Sequence, residues 1–116
     1  MSVNIENATV RNTHYRKVIS TNKFQQVVVM SLNKGENIPL ETHNGSQFFR
    51  IEAGTGIAKV GNKSYRLRDG IALVVGPGQK HIITATSATP LKLYTIYSPP
   101  QHKRRAVLIR QPRDSK

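Results

Sequence analysis

Four side chains in this sequence have the types and spacing that hold a metal ion. Glu41 and His43 stand two residues apart in Leu40–Gly54, LETHNGSQFFRIEAG, and Gln47 follows four residues later. Alternate residues of a strand share a face, so Glu41 and His43 point the same way. A turn at Asn44-Gly45-Ser46 would fold the chain back and lay Gln47 across from His43. A second segment, RDGIALVVGPGQKHII, places His81 at the opening of another strand. Two imidazoles and one carboxylate are the set that binds Fe(II) or a similar divalent ion and leaves positions open for a ligand. Gln47 would add a neutral oxygen donor. The same four groups could instead hydrogen-bond to one another and to water in a metal-free site. In either case, a polar cluster on an inward face costs on the order of several kcal/mol unless its groups are paired or bound.

The elements that must position these residues are strands. Apolar residues come in short β-branched runs with turn residues about every 8–12 positions, the pattern of all-β sandwiches and barrels. No long segment keeps a 3.6-residue apolar period. The expected strands are Arg16–Ser20, Phe24–Leu32, Gln47–Glu52, Gly56–Val60, Lys63–Leu67, Ile71–Val75, Lys80–Thr86, Lys92–Tyr97 and Arg105–Arg110. NKGENIP, EAGTG, RDG and SATP read as connections between them. Asn44-Gly45 and Gly61-Asn62 are the strongest hairpin signals, because Gly and Asn tolerate positive φ. No connection is long enough for a crossover helix, so the pairing should be antiparallel. The chain divides into an arm or edge strand (1–14), a barrel (15–101) and a basic tail (102–116).

With these residues in place, the chain resembles the cupin superfamily, specifically its small single-domain, conserved-barrel (mannose-6-phosphate-isomerase-like) members. The first cupin motif runs Gly, five residues, His-x-His, three or four residues, Glu, six residues, Gly. Here it reads Gly35-(ENIPL)-Glu41-Thr42-His43-(NGS)-Gln47-(FFRIEA)-Gly54, with every spacing kept. The second motif reads Gly70-(IALVV)-Gly76-Pro77-Gly78-(QK)-His81-(IIT)-Ala85. Glu41 stands where the family has its first His and Gln47 where it has Glu. One carboxylate is therefore kept but moved, and a weak amide takes its place.

The resemblance implies an all-β fold: an antiparallel double-stranded β-helix, or jelly-roll barrel. It implies a divalent transition metal (Fe, Mn, Zn or Ni) held by Glu41, His43, Gln47 and His81. Phe49, Ile51, Val74, Tyr97 and His102 are expected around the pocket. A metal there would serve a small-molecule enzyme or binder, oxygenase- or isomerase-like. No general base stands out beyond the ligands, and no reaction is assigned. A homodimer is expected from the resemblance and from Phe48 and Arg50, which share the outward face.

Composition supports a second expectation. The chain has 116 residues, one domain's worth, and a net charge of +12. Six basic residues against one acidic crowd into His102–Lys116, and Lys103, Arg104, Arg105, Arg110 and Arg113 form a candidate polyanion-binding group. The alternative function is thus a metal-free structural barrel. Its basic surface would dock on nucleic acid, an acidic protein surface, or a large assembly such as a virion or ribonucleoprotein. The absence of Cys excludes disulfides, thiolate metal sites and Cys nucleophiles. No apolar run approaches a membrane span. MSVNIENATV has no basic stretch leading into an apolar one, so an intracellular location is expected.

Overall fold

A computed structural model describes residues 1–112. Strands β2 (Gln26–Leu32) and β9 (Leu91–Ser98) show how alternation builds the fold. On β2 Gln26, Val28, Met30 and Leu32 pair in register with Tyr97, Thr95, Leu93 and Leu91 of β9, and all eight are buried. Directly opposed residues share a face, so this ribbon has one apolar side that must be covered.

Two sheets cover each other. One has six strands in the order β10 (Val107–Leu108), β1 (Arg16–Thr21), β2, β9, β4 (Ser46–Ala53) and β7 (Ala72–Val75). The other has four, in the order β3 (Asn37–Glu41), β8 (His81–Ala85), β5 (Gly56–Val60) and β6 (Lys63–Leu67). Every pairing is antiparallel. Phe49, Ile51, Leu93, Met30 and Ile83 fill the space between the sheets and are fully buried. Each such side chain contributes roughly 1.5–3 kcal/mol relative to exposure. The strand pattern predicts an antiparallel all-β fold, and the architecture is the jelly roll that the resemblance implies.

Several local expectations are corrected. Asn37–Pro39, read as loop, belongs to β3, an edge strand, where Pro can sit because it need not donate to a ladder. Asn44-Gly45 is not a hairpin: β3 and β4 lie in different sheets, and the link crosses between them. Gly45 is required there for space, since a Cβ would come within 2.0 Å of the Ser98 carbonyl oxygen. Gly61-Asn62 does join a hairpin, Val60 to Lys63, with Gly61 at φ +57°.

The N-terminal arm is not an edge strand. Residues Ile5–Arg11 form a helix, α1, which Asn4 caps by accepting a hydrogen bond from the Asn7 amide. Ile5, Ala8 and Thr9 turn one side of it onto the outer face of the six-stranded sheet, where Thr9 is buried. Lys92 Nζ donates to the Asn12 carbonyl at 2.6 Å and fixes the helix end. At the other end of the chain β10 adds to the sheet beside β1. Among the described residues no helix is long and apolar enough to cross a membrane.

Candidate metal centre

The cluster forms where the two sheets meet at one end of the barrel. Glu41 ends β3 directly opposite His81, the first residue of β8. Gln47 sits near the start of β4, between Tyr97 and Val75 in the ladder. His43 lies in the link between β3 and β4, and its carbonyl accepts from the Gly78 amide at 2.8 Å. The Gly76-Pro77-Gly78 turn therefore holds the His43 backbone and then delivers His81.

Side-chain bonds orient each donor. His81 Nδ1 lies 3.0 Å from the Gln79 carbonyl, which can only accept, so that nitrogen carries a proton and Nε2 faces inward. Gln47 donates through Nε2 to Thr95 Oγ1 at 3.0 Å, which turns its Oε1 to within 3.1 Å of His81 Nε2. Glu41 Oε1 stands 3.2 Å from His43 Nε2 and 3.7 Å from His81 Nε2. The approach to His43 is close but not aligned as a hydrogen bond, and the buried His43 Nε2 has no hydrogen-bond partner.

Lone-pair donors thus converge without enough protons to pair them. The ligand atoms of Glu41, His43 and His81 all lie within 4.8 Å of one another. Two donors about 2.1 Å from a common ion at right angles to each other would be roughly 3.0 Å apart, close to the spacing observed. A buried, unpaired imidazole nitrogen beside a carboxylate and a second imidazole has the donor chemistry of a metal ligand. The residues fit a metal.

Electrostatics agree with this picture. Burial pushes the Glu41 carboxyl up, but the His81 hydrogen bond and the His43 imidazole pull it further down, and the net shift is downward. Burial pushes His81 down, yet its hydrogen bonds to Glu41 and the Gln79 carbonyl outweigh that and raise it.

The surroundings sort the remaining expected residues. The Phe49 ring meets His81 at 6.2 Å and Ile51 lies in the core. Tyr97 is buried, its ring edge-on to His43 at 5.6 Å, and its hydroxyl pairs with His102 Nε2 at 3.2 Å. Burial drives the Tyr97 phenol well above its usual range. Burial, aided by the Arg16 charge, pushes His102 down to about 4, leaving it neutral at neutral pH. Val74 does not line the pocket: it is 68 % exposed on the outer face, and its neighbours Leu73 and Val75 take the inward positions of β7.

The basic group divides. Lys103, Arg104 and Arg105 are exposed. Arg110 is not a free surface cation: it pairs with Glu36 at 2.6 Å and donates to the Thr13 and Ser31 carbonyls. Arg113 lies outside the described residues.

Sequence reasoning missed Gln26, Thr95, Gln79 and Arg16. Gln26 is wholly buried and uses its whole amide: Nε2 donates to Thr21 and to the His102 carbonyl, and Oε1 accepts from the Gln101 and His102 amides. It thereby places His102 beside Tyr97. A Gln at an inward position of the run QVVVMSL was the available signal.

Residues 28–97 match the family described as Cupin domain. The chain is 47 % identical over 107 residues to YrkC of Bacillus subtilis (strain 168), covering 86 % of this chain and 58 % of that protein. It is 43 % identical over 115 residues to a protein of Acanthamoeba polyphaga mimivirus, covering 95 % of this chain and 72 % of the other. The crystal structure of BH2720 from Bacillus halodurans superposes with a TM-score of 0.92 at 37 % identity, covering 95 % and 89 % of the two chains. The chain thus spans little more than half the length of the B. subtilis relative.

Proposed function

The chain belongs to the cupin family, and from that premise we propose that it binds a divalent transition metal through Glu41, His43, Gln47 and His81 and presents it to a small molecule. The observation that carries this reading is the orphaned, buried His43 Nε2 facing a carboxylate oxygen, with a second imidazole and an amide oxygen beside it. Nitrogen and oxygen donors without sulfur suit Fe, Mn, Ni or Zn. When bound, the metal would supply Lewis acidity or a site for a ligand's oxygen. The chain's own residues orient the donors: Gln79 sets the His81 tautomer, Thr95 sets the Gln47 amide, and Gly78 holds His43. Glu41, the more exposed ligand at 31 %, marks the side open to solvent.

Elemental analysis of protein purified without a metal-affinity tag should find close to one transition metal per chain. His43→Ala should remove it. Metal-free wild type that gains no stability from added Fe, Mn, Ni or Zn would overturn the reading.

A second reading, docking on a polyanion, draws on one observation. Of the acidic groups among the described residues, Glu36, Glu41 and Glu52 are held by Arg110, the two histidines and Arg50, which leaves Glu6 and Asp69 to offset the surface cations. Binding to duplex or single-stranded nucleic acid that weakens steeply between two salt concentrations would support it. No binding at low salt would remove nucleic acid as the partner. We also propose a homodimer through the outer face of the six-stranded sheet. There Val74, Phe48, Ile96 and Val27 form one row across four strands. A monomeric mass by light scattering would exclude it.

A further inference from the structure

One inward-facing cation has no acidic partner. Arg16 opens β1 opposite Met30, a core residue with no exposure, and two residues before Val18, which is also in the core. Its face is therefore the barrel interior. Lys17, between them, points the other way and lines the groove beneath α1. Arg16 Nε is buried with no hydrogen-bond partner, and the guanidinium forms no ion pair among the described residues.

Arg16 shares neighbours with the metal ligands. Its Cζ stands 5.9 Å from the centre of the Tyr15 ring. Its charge is felt at Tyr97 and His102, which it pulls downward. Those two residues bond to each other, and Tyr97 packs edge-on against His43. The carboxylate of Glu41 is committed to the two histidines, so the half-buried Arg16 guanidinium has no counter-charge among the described residues. Its planar fork matches a carboxylate, which it can hold through two parallel bonds.

We propose that Arg16 anchors the carboxylate of a small organic acid whose other oxygens reach the Glu41, His43, Gln47 and His81 set, with Tyr97 and His102 lining the space between. The inference rests on the reading of that set as a metal centre. The planar fork matches the two oxygens of a carboxylate, and titration sets carboxylates against phosphate.

The test is calorimetric titration of the full chain, loaded with manganese and assayed for metal first, with malonate, lactate, pyruvate and inorganic phosphate. At least one carboxylate should bind wild type. Arg16→Met should weaken it at least tenfold while the manganese content stays the same. Lys17→Met, which removes a charge from the same strand but the outer face, should change nothing. Arg16→Lys keeps the charge without the fork and should weaken binding several-fold; it carries the test if Arg16→Met does not fold. Carboxylate binding indifferent to Arg16, no carboxylate binding by fully loaded wild type, or phosphate bound more tightly than every carboxylate would each overturn the proposal. If wild type takes up none of manganese, iron, nickel and zinc, the metal reading fails instead. The same titration of that metal-free protein then decides the anchor: Arg16-dependent carboxylate binding upholds it and its absence overturns it.

Discussion

Strand β3 has a carboxylate at each end, and the fold treats the two in opposite ways. Glu36, just before the strand, accepts from Arg110 through both oxygens, at 2.6 and 3.2 Å, and from the Asn33 amide at 2.7 Å. Burial pushes this carboxyl up, but Arg110 and the Asn33 amide hold it below its usual range. Around it Tyr15 donates to the Asn37 carbonyl at 2.6 Å and Gln111 bonds Asn37 on both sides. Glu41, at the far end, faces histidine nitrogens at 3.2 and 3.7 Å, one of them without a hydrogen bond. The first end closes the barrel by joining the C-terminal segment to the second sheet. The second end leaves donors unpaired. Complementary partners serve stability, and withheld ones leave a place for a ligand.

Breaking the cluster should have the largest effect. Glu41→Gln removes the set's anionic ligand, and metal affinity should fall by more than about 100-fold in a competition titration. The stability of the chelator-treated protein should move by no more than about 1 kcal/mol, because Glu41 is partly exposed.

Acid should sharpen the contrast next. His102 has its folded value depressed to about 4 against an ordinary 6.5. Between those values the unfolded chain binds a proton that the folded one refuses. Its contribution is therefore full above about pH 6.5 and lost as the pH falls toward 4; with solvent screening at this partly exposed ring it comes to about 1–2 kcal/mol. His81 runs the other way: its raised folded value adds stability below 6.5 that fades as the pH rises through that value. Denaturation of metal-free protein at pH 4.5 and 7.5 should show wild type losing about 1–2 kcal/mol more on acidification than His102→Asn.

The clasp should respond in stability alone. Arg110→Ala strips Glu36 and two carbonyls of a charged donor and should cost about 2 kcal/mol, with metal content unchanged. Tyr15→Phe removes one bond to the Asn37 carbonyl and should cost about 1 kcal/mol by the same measurement. If either variant lost metal in proportion to its stability, the two ends would not be independent.

Much of this was legible in the chain itself. Alternation along QVVVMSL and LKLYTIYS specifies an inward and an outward face, and the Gly61-Asn62 turn specifies its hairpin, because both depend on neighbouring residues only. The spacing of Glu41, His43, Gln47 and His81 likewise marked them as one set. Helix α1 escaped notice because seven residues are too few to display a period.

The remainder was decided by contacts distant in sequence. Asn44-Gly45 looks like a hairpin, and only the close approach of Ser98 reveals it as a crossing between sheets. Arg110 reads as a surface cation until Glu36, far earlier in the chain, claims it. Arg16 and Lys17 are two basic neighbours in sequence, yet pairing with Met30 turns one into the barrel and leaves the other on its surface. Residue type and local period determine what a strand can present. Only the strand placed beside it, and whatever lies across the interior, determines which charges find a partner and which are left waiting for one.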